Sequence, residues 1–322
     1  MGKTDKLTRK YGLDFLKGIA ACFVVFMHAR FPEMTGYYVA MLGRAAVPIF
    51  FLTSGYFAFG ASKSKIIRSI KRTLSYLLVA YVLGVIGILV TYHFDFSRFG
   101  ELLAHRILTT DHFLRLVFLA DTRLCGVAWF LLSLLYCYVL KYYFGRKLRY
   151  IAYIGIFFRI IGAIQYPFFS ITVPVNTPWI TGIPFFILGD LICEYENNLK
   201  KYLPSSKCAS LGGIGLLILV VPFFHGALWW VIGTLLFSPS LFVFFLRIDM
   251  PFNKFCLLGS TYAFFIYIVH PLVMHTYDAL RVNPSINEMW ARPVIVLVTT
   301  VLLAVIYYSA KSWGRVKGEL TN

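Results

Sequence analysis

Apolar runs long enough to cross a bilayer recur from one end of this sequence to the other. No other feature constrains the fold as strongly. A spanning helix needs about 20 mostly apolar residues, and helical geometry satisfies every backbone polar group where no water can. Such runs lie near 13–30, 39–60, 74–93, 124–144, 150–165, 178–194, 209–225, 227–246, 256–275 and 293–310. They predict an all-α fold, a polytopic transmembrane helical bundle of about ten spans. Composition excludes the water-soluble alternative. Of 322 residues, 59% are hydrophobic and 14% charged, against roughly 25% charged in a soluble domain.

Lysine and arginine orient the bundle. With the N-terminus inside, 21 of them fall in the inner segments 1–12, 61–73, 141–149, 195–208, 247–255 and 311–322, and 7 fall outside. This positive-inside bias places both termini in the cytoplasm. The same placement explains the net charge of +17 as topology, not as nucleic-acid binding. One membrane domain is expected over 1–322: a cytoplasmic segment 1–12, a ten-helix bundle 13–310 and a tail 311–322. The first run lacks a small-residue cleavage site and carries Asp14, Lys17 and His28, so it reads as a retained span. Six scattered cysteines show no metal-ligand or disulfide spacing. The outer loop near 95–123 mixes charged and apolar residues, as a helix lying in the interface would. His105, Asp111 and His112 within it read as a solvated face, and no metal site is expected.

Ionisable groups inside a membrane are costly unless paired or wet, so each marks a candidate site. Asp14, Lys17, His28, Arg44, Arg159, Asp190 and His270 are such groups. Lys17 and His28 stand 11 residues apart, which puts them on one helix face within roughly 20° and separates them by roughly 16 Å. Asp14 continues that stripe. A histidine can take a proton near neutral pH, and a lysine at the inner mouth suits an anion. The competing reading has Lys17 snorkelling to headgroups and His28 ending the helix before Pro32. Arg44 precedes Pro48, which interrupts the helical hydrogen-bond ladder; it can pair with Glu33, hold an anion or stabilise an oxyanion. Ser54-Gly55 marks a close helix approach or a bend, with Ser54 otherwise a small packing residue. Lys63, Lys65, Arg68, Lys71 and Arg72 crowd the segment before the third span, where phosphates or anionic headgroups are natural partners and plain topological anchoring explains the charge equally well. His270 reads equally as a functional group or as a hydrogen-bonded bundle histidine.

In order and spacing these elements resemble the acyltransferase-3 family of bacterial membrane acyltransferases. The resemblance rests on Leu13-Asp14-Phe-Leu-Lys17-Gly, the His28 that ends the first span, and Arg44…Val47-Pro-Ile-Phe-Phe-Leu-Thr-Ser54-Gly55-Tyr-Phe. It continues through Trp129-Phe-Leu, Pro184-Phe-Phe-Ile-Leu-Gly189 and Gly259-Ser-Thr-Tyr-Ala-Phe-Phe-Ile-Tyr267-Ile-Val-His270-Pro. The family signature of a basic residue, ten residues and histidine fits Lys17 and His28, with lysine for the commoner arginine. The donor-associated Arg-x-x-Arg fits Arg68-Ser-Ile-Lys71 only with lysine second, and Lys65-Ile-Ile-Arg68 is a rival register. The resemblance implies acyl, usually acetyl, transfer from acetyl-CoA to a hydroxyl of a cell-envelope carbohydrate or lipid-linked glycan at the bacterial cytoplasmic membrane. On it His28 is the general base, with Lys17 and Arg44 beside it in the catalytic set. Arg68, Lys71 and Arg72 hold the donor phosphates, while Asp14, Glu33, Ser54 and His270 stand around the substrate. Partners would be membrane lipid, the glycan acceptor, glycan-assembly proteins and a second copy of the chain. The alternatives are an amino-acid-like permease using the same polar track, and an inactive scaffold of a glycan-assembly complex.

Overall fold

The computed structural model describes residues 10–151, 153–157, 176–221, 227–281 and 285–320, and among these there is no strand. Two helices, α1 (Tyr11–His28) and α3 (Ala46–Ala58), run through the centre. Between them α2 (Glu33–Gly43) ends at Arg44-Ala45, where the helix breaks. The break has a chemical cause: Pro48 has no N–H to give the Arg44 carbonyl four residues back. The next helix, α4 (Lys63–Thr91), begins at the first lysine of the basic segment, with the Ser62 hydroxyl capping it. The cations expected in a loop therefore form its first turns.

The outer loop folds into α5 (Phe96–Leu102), a π turn (Leu103–Ile107) and α6 (Thr110–Leu119). Phe113, Leu114, Val117 and Phe118 leave α6 with an exposed apolar side, as an interfacial helix requires. His112, expected on a solvated face, is 5% exposed. Then follow α7 (Ala128–Phe144), a π turn (Pro178–Gly182), α8 (Ile183–Glu194), α9 (Glu196–Tyr202) and α10 (Ser205–Val220). The chain closes with α11 (Ala227–Arg247), α12 (Lys254–Leu257), a π turn (Leu258–Tyr262), α13 (Ala263–Ala279) and α14 (Ile286–Leu320).

Among the described residues, seven helical segments are long and apolar enough to cross a membrane, or eight if the α9–α10 pair, bent by 89°, is one span. The expected span at 178–194 coincides with the π turn plus α8. Most of the expected span at 150–165, Arg159 included, lies outside the described residues. Lipid-facing sides are legible on the outer helices. Leu74, Leu78, Val82 and Ile86 on α4 and Val294, Val298, Leu302 and Ile306 on α14 are exposed at four-residue spacing.

Among apolar tails the hydrophobic effect does not press helices together, so close backbone packing must do so. A Cβ on Gly55 would meet the Phe186 carbonyl oxygen at 1.7 Å, and one on Gly189 would meet that of Leu52 at 2.0 Å. These glycines lock α3 to α8, the close approach expected at Ser54-Gly55. Ion pairs tie several of the segments that the charge count assigns to one side. Lys10 meets Glu196 at 3.5 Å and Arg149 meets Glu194 at 3.2 Å. Arg247 donates to the Leu199 and Leu203 carbonyls that end α9. These basic segments therefore gather at one end of the bundle, the Lys17 end. Deeper in, Lys141 and Asp190 form an ion pair of 2.6 Å joining α7 to α8.

Candidate active site

The ionisable side chains of the candidate site lie along α1. At its Lys17 end, Lys17 Nζ lies 2.8 Å from Asp14 Oδ1, so the two charges of the stripe neutralise each other. Beside them is a cavity of about 360 Å³ lined by Lys17, Ser54, Arg72, Tyr138, Ser260 and Thr261, among others. Its walls come from α1, α3, α4, α7 and the Leu258–Tyr262 π turn. Two features of the sequence build that arrangement. Gly18 and Gly259 let α1 and the π turn meet backbone to backbone, since a Cβ on Gly259 would stand 1.8 Å from the Asp14 carbonyl oxygen. The π turn widens the helix by one residue, a local irregularity often found at functional sites, and it contributes Ser260 and Thr261.

The basic segment meets this cavity through Arg72. Arg68 lies one turn earlier on the same face of α4, and all three of Arg68, Lys71 and Arg72 are exposed, but neither Arg68 nor Lys71 lines the cavity. Helix α4 also carries cations where its dipole is already positive, with no acid in the first turn. Such a stack of positive charge is unfavourable alone and suits an anion.

At the opposite end of α1, the His28 and His270 rings approach with centroids 5.3 Å apart. His270 is fully buried, and its Nδ1 lies 3.0 Å from the Ile266 carbonyl oxygen. A carbonyl can only accept, so Nδ1 carries the proton and Nε2 presents a lone pair. That Nε2 has no hydrogen-bond partner among the described residues. The hydrogen-bonded bundle histidine is thus satisfied on one nitrogen only, on a ring that packs against that of His28. Tyr267 packs 6.1 Å from His270 and donates its hydroxyl to the Val127 carbonyl, fixing this end of α13 to the start of α7.

Between the two ends stands an aromatic relay. Phe50 lines the cavity, its ring is 6.0 Å from Phe130, and Phe130 is 5.1 Å from Tyr267. Arg44, at the helix break, lies over the Trp230 ring at 5.6 Å and makes no ion pair with Glu33 among the described residues. Glu33 is exposed at the start of α2. Arg30, two residues past His28, is close enough for its charge to act on the histidine. The sequence marks Arg30 only as a topological cation, gives no signal for Tyr138, and presents Ser260 and Thr261 only within the motif that carries the family resemblance. Tyr138 interacts with Ser54 and Arg72, a convergence that only the crossing of α3, α4 and α7 creates.

The structure therefore joins Lys17, Asp14, Ser54 and Arg72 at one cavity and His28 and His270 at another point. Arg44 lies toward the histidines, Arg68 lies outside the cavity on its approach, and Glu33 and Lys71 are apart from both. No curated protein and no solved structure matches the chain. The acyltransferase-domain model of the acyltransferase-3 family matches residues 10–309, nearly the whole length. That extent gives the permease alternative no support. The chain belongs to the acyltransferase-3 family and is a multi-pass membrane acyltransferase.

Proposed function

We propose that this protein moves an acetyl group from cytoplasmic acetyl-CoA to a hydroxyl of a cell-envelope carbohydrate or lipid-linked glycan. The carrying observation is the division of labour along α1: a cationic cavity with Lys17 and Arg72 at one end, and the His28–His270 pair roughly 16 Å away at the other. The reading takes the bundle as ten spans with both termini in the cytoplasm of a bacterium, which puts the cavity inside and the histidines toward the outer face. Arg72 and Arg68 then receive the donor phosphates, and Lys17, held by Asp14, guides the polar pantetheine arm. The arm follows the Phe50–Phe130–Tyr267 relay toward His28.

There His28 takes the proton of the acceptor hydroxyl as its oxygen attacks the thioester carbon. Negative charge collects on the carbonyl oxygen of the tetrahedral intermediate, where Arg44 offsets it. The C–S bond then breaks, the acetyl group stays on the acceptor oxygen, and the histidinium returns its proton to the leaving thiolate. His270, with its free Nε2, orients or relays to His28.

The test is acetyl-CoA binding and transfer by the purified protein in lipid nanodiscs. Arg72→Ala and Lys17→Ala are expected to weaken donor binding, while His28→Ala binds acetyl-CoA normally and transfers nothing. Absence of acetyl-CoA binding by the wild type would remove the donor assignment, and full transfer by His28→Ala would remove the base.

A further inference from the structure

A second cavity of about 360 Å³ lies at the histidine end, between the end of α6, the 120–126 loop and the start of α7. Arg115, Asp121, Arg123, Trp129 and Asn176 supply its chemistry. Its electrostatics differ from those of the Lys17 cavity. Asp111 pairs with both Arg115, at 3.0 Å, and Arg123, at 3.3 Å, and Asp121 pairs with Arg123 at 3.4 Å. Formal charge on the wall therefore cancels, while polar capacity survives. Arg115 spends only its Nε on Asp111, so its terminal nitrogens remain donors among the described residues. Asn176 offers both a donor and an acceptor.

Ala120, which lines the cavity and is fully buried, ends α6 in a left-handed cap with φ 55°, its N–H on the Leu116 carbonyl at 3.1 Å. Docking of α6 fixes the wall beside it: Tyr136 donates to the Val117 carbonyl at 2.7 Å and Trp179 to that of Phe118 at 2.6 Å.

Finally, the cavity is mechanically tied to the histidines. Gly126 and Trp129 line it, and the Val127 carbonyl between them accepts the Tyr267 hydroxyl, whose ring touches His270.

We infer that this cavity seats the acceptor, and that the occupant is a single uncharged, polyhydroxylated sugar unit. A ring with hydroxyls around its edge and C–H groups on its faces matches a charge-balanced wall of donors and acceptors with one indole. A polyanion would need the net positive wall found at α4 instead. The volume stands at the small end of ligand sites, which run from about 300 to 1,000 Å³, so one sugar residue fits and the rest of a glycan projects outward. The inference rests on the acyl-transfer reading for its word "acceptor", while the sugar site itself stands on the cavity.

Saturation-transfer NMR on the full chain in nanodiscs tests it, with glucose and N-acetylglucosamine as probes and glucuronate as the charged comparison. The neutral sugars are expected to bind wild type and to lose about tenfold in affinity in Trp129→Ala and in the isosteric Asp121→Asn, each group supplying one principal contact. Trp129→Phe, which keeps a ring, should retain most of the affinity. Acetyl-CoA binding by the same variants should be unchanged. Sugar binding equal in wild type and all variants would overturn the site, and preference for glucuronate or silence from both neutral sugars would overturn the ligand class. Loss of acetyl-CoA binding by wild type, with sugar binding intact, would instead strike the donor reading alone.

Discussion

Gly259→Ala puts one methyl group into the tight crossing beside the Lys17–Arg72 cavity. The new Cβ would stand 1.8 Å from the Asp14 carbonyl oxygen and 2.5 Å from the Gly18 nitrogen. Both are backbone atoms of α1, so no side chain can swing aside. Ordinary contact begins at 3.4 Å, and α1 and the π turn must part by about 1.6 Å to reach it from 1.8 Å. Overpacking of this kind costs about 1–3 kcal/mol, which a large bundle survives. The catalytic cost is larger, because the two displaced segments carry Lys17 on one side and Ser260 and Thr261 on the other. Misplacement by about 1 Å typically costs on the order of 100-fold in rate. We therefore expect kcat/KM to fall about 100-fold with a drop of a few degrees in Tm. The assay is release of CoA thiol from acetyl-CoA by membrane vesicles that carry the native acceptors, beside melting in detergent. Gly213→Ala is the control: nothing lies within 4 Å of its Cβ position, and alanine there favours helix by about 1 kcal/mol. Wild-type rates and melting for Gly259→Ala would refute the contact and the reasoning built on it.

Three other expectations follow from the same geometry. Arg72→Ala should weaken acetyl-CoA binding by about 10–100-fold, the worth of a charge-assisted hydrogen bond at the cavity wall, and Lys71→Ala, at a residue that lines no part of the cavity, by less than about fivefold. Thermophoresis titrations compare them, and equal losses would remove the distinction the cavity draws. Lys141→Met leaves Asp190 buried without its cation and should cost about 3–5 kcal/mol, which Lys141→Met/Asp190→Leu largely restores; melting of the single and double variants decides. His112 should titrate below the ordinary 6.5, because burial and then the Arg123 charge oppose its protonation. The fold therefore holds it neutral. Its contribution to α6 docking is complete above the ordinary value and declines as pH falls through the lower folded value. Imidazole NMR shifts report it, and a midpoint at or above 6.5 contradicts the burial.

Several features of this protein were written in local sequence. Apolar runs and their basic flanks determined a helical membrane bundle, since backbone groups in lipid have no other partners. The Lys17–His28 stripe followed from helical periodicity alone, and the break beside Arg44 from the missing N–H of Pro48. The meeting of Ser54, Arg72, Tyr138 and Ser260 at one cavity did not follow, nor did the contact of His270 with His28. Those contacts join residues on different helices and depend on how each helix is rotated about its axis. In water an apolar stripe announces the buried face. In lipid the outward face is as apolar as the inward one, as Leu74, Leu78, Val82 and Ile86 show on α4. Rotation is set instead by where backbones can touch, at Gly18 against Gly259 and at Gly55 against Phe186. That is why the sequence determined the elements and the charged stripe, and why only helix-to-helix packing decided which cation reaches the cavity and which histidine packs against His28.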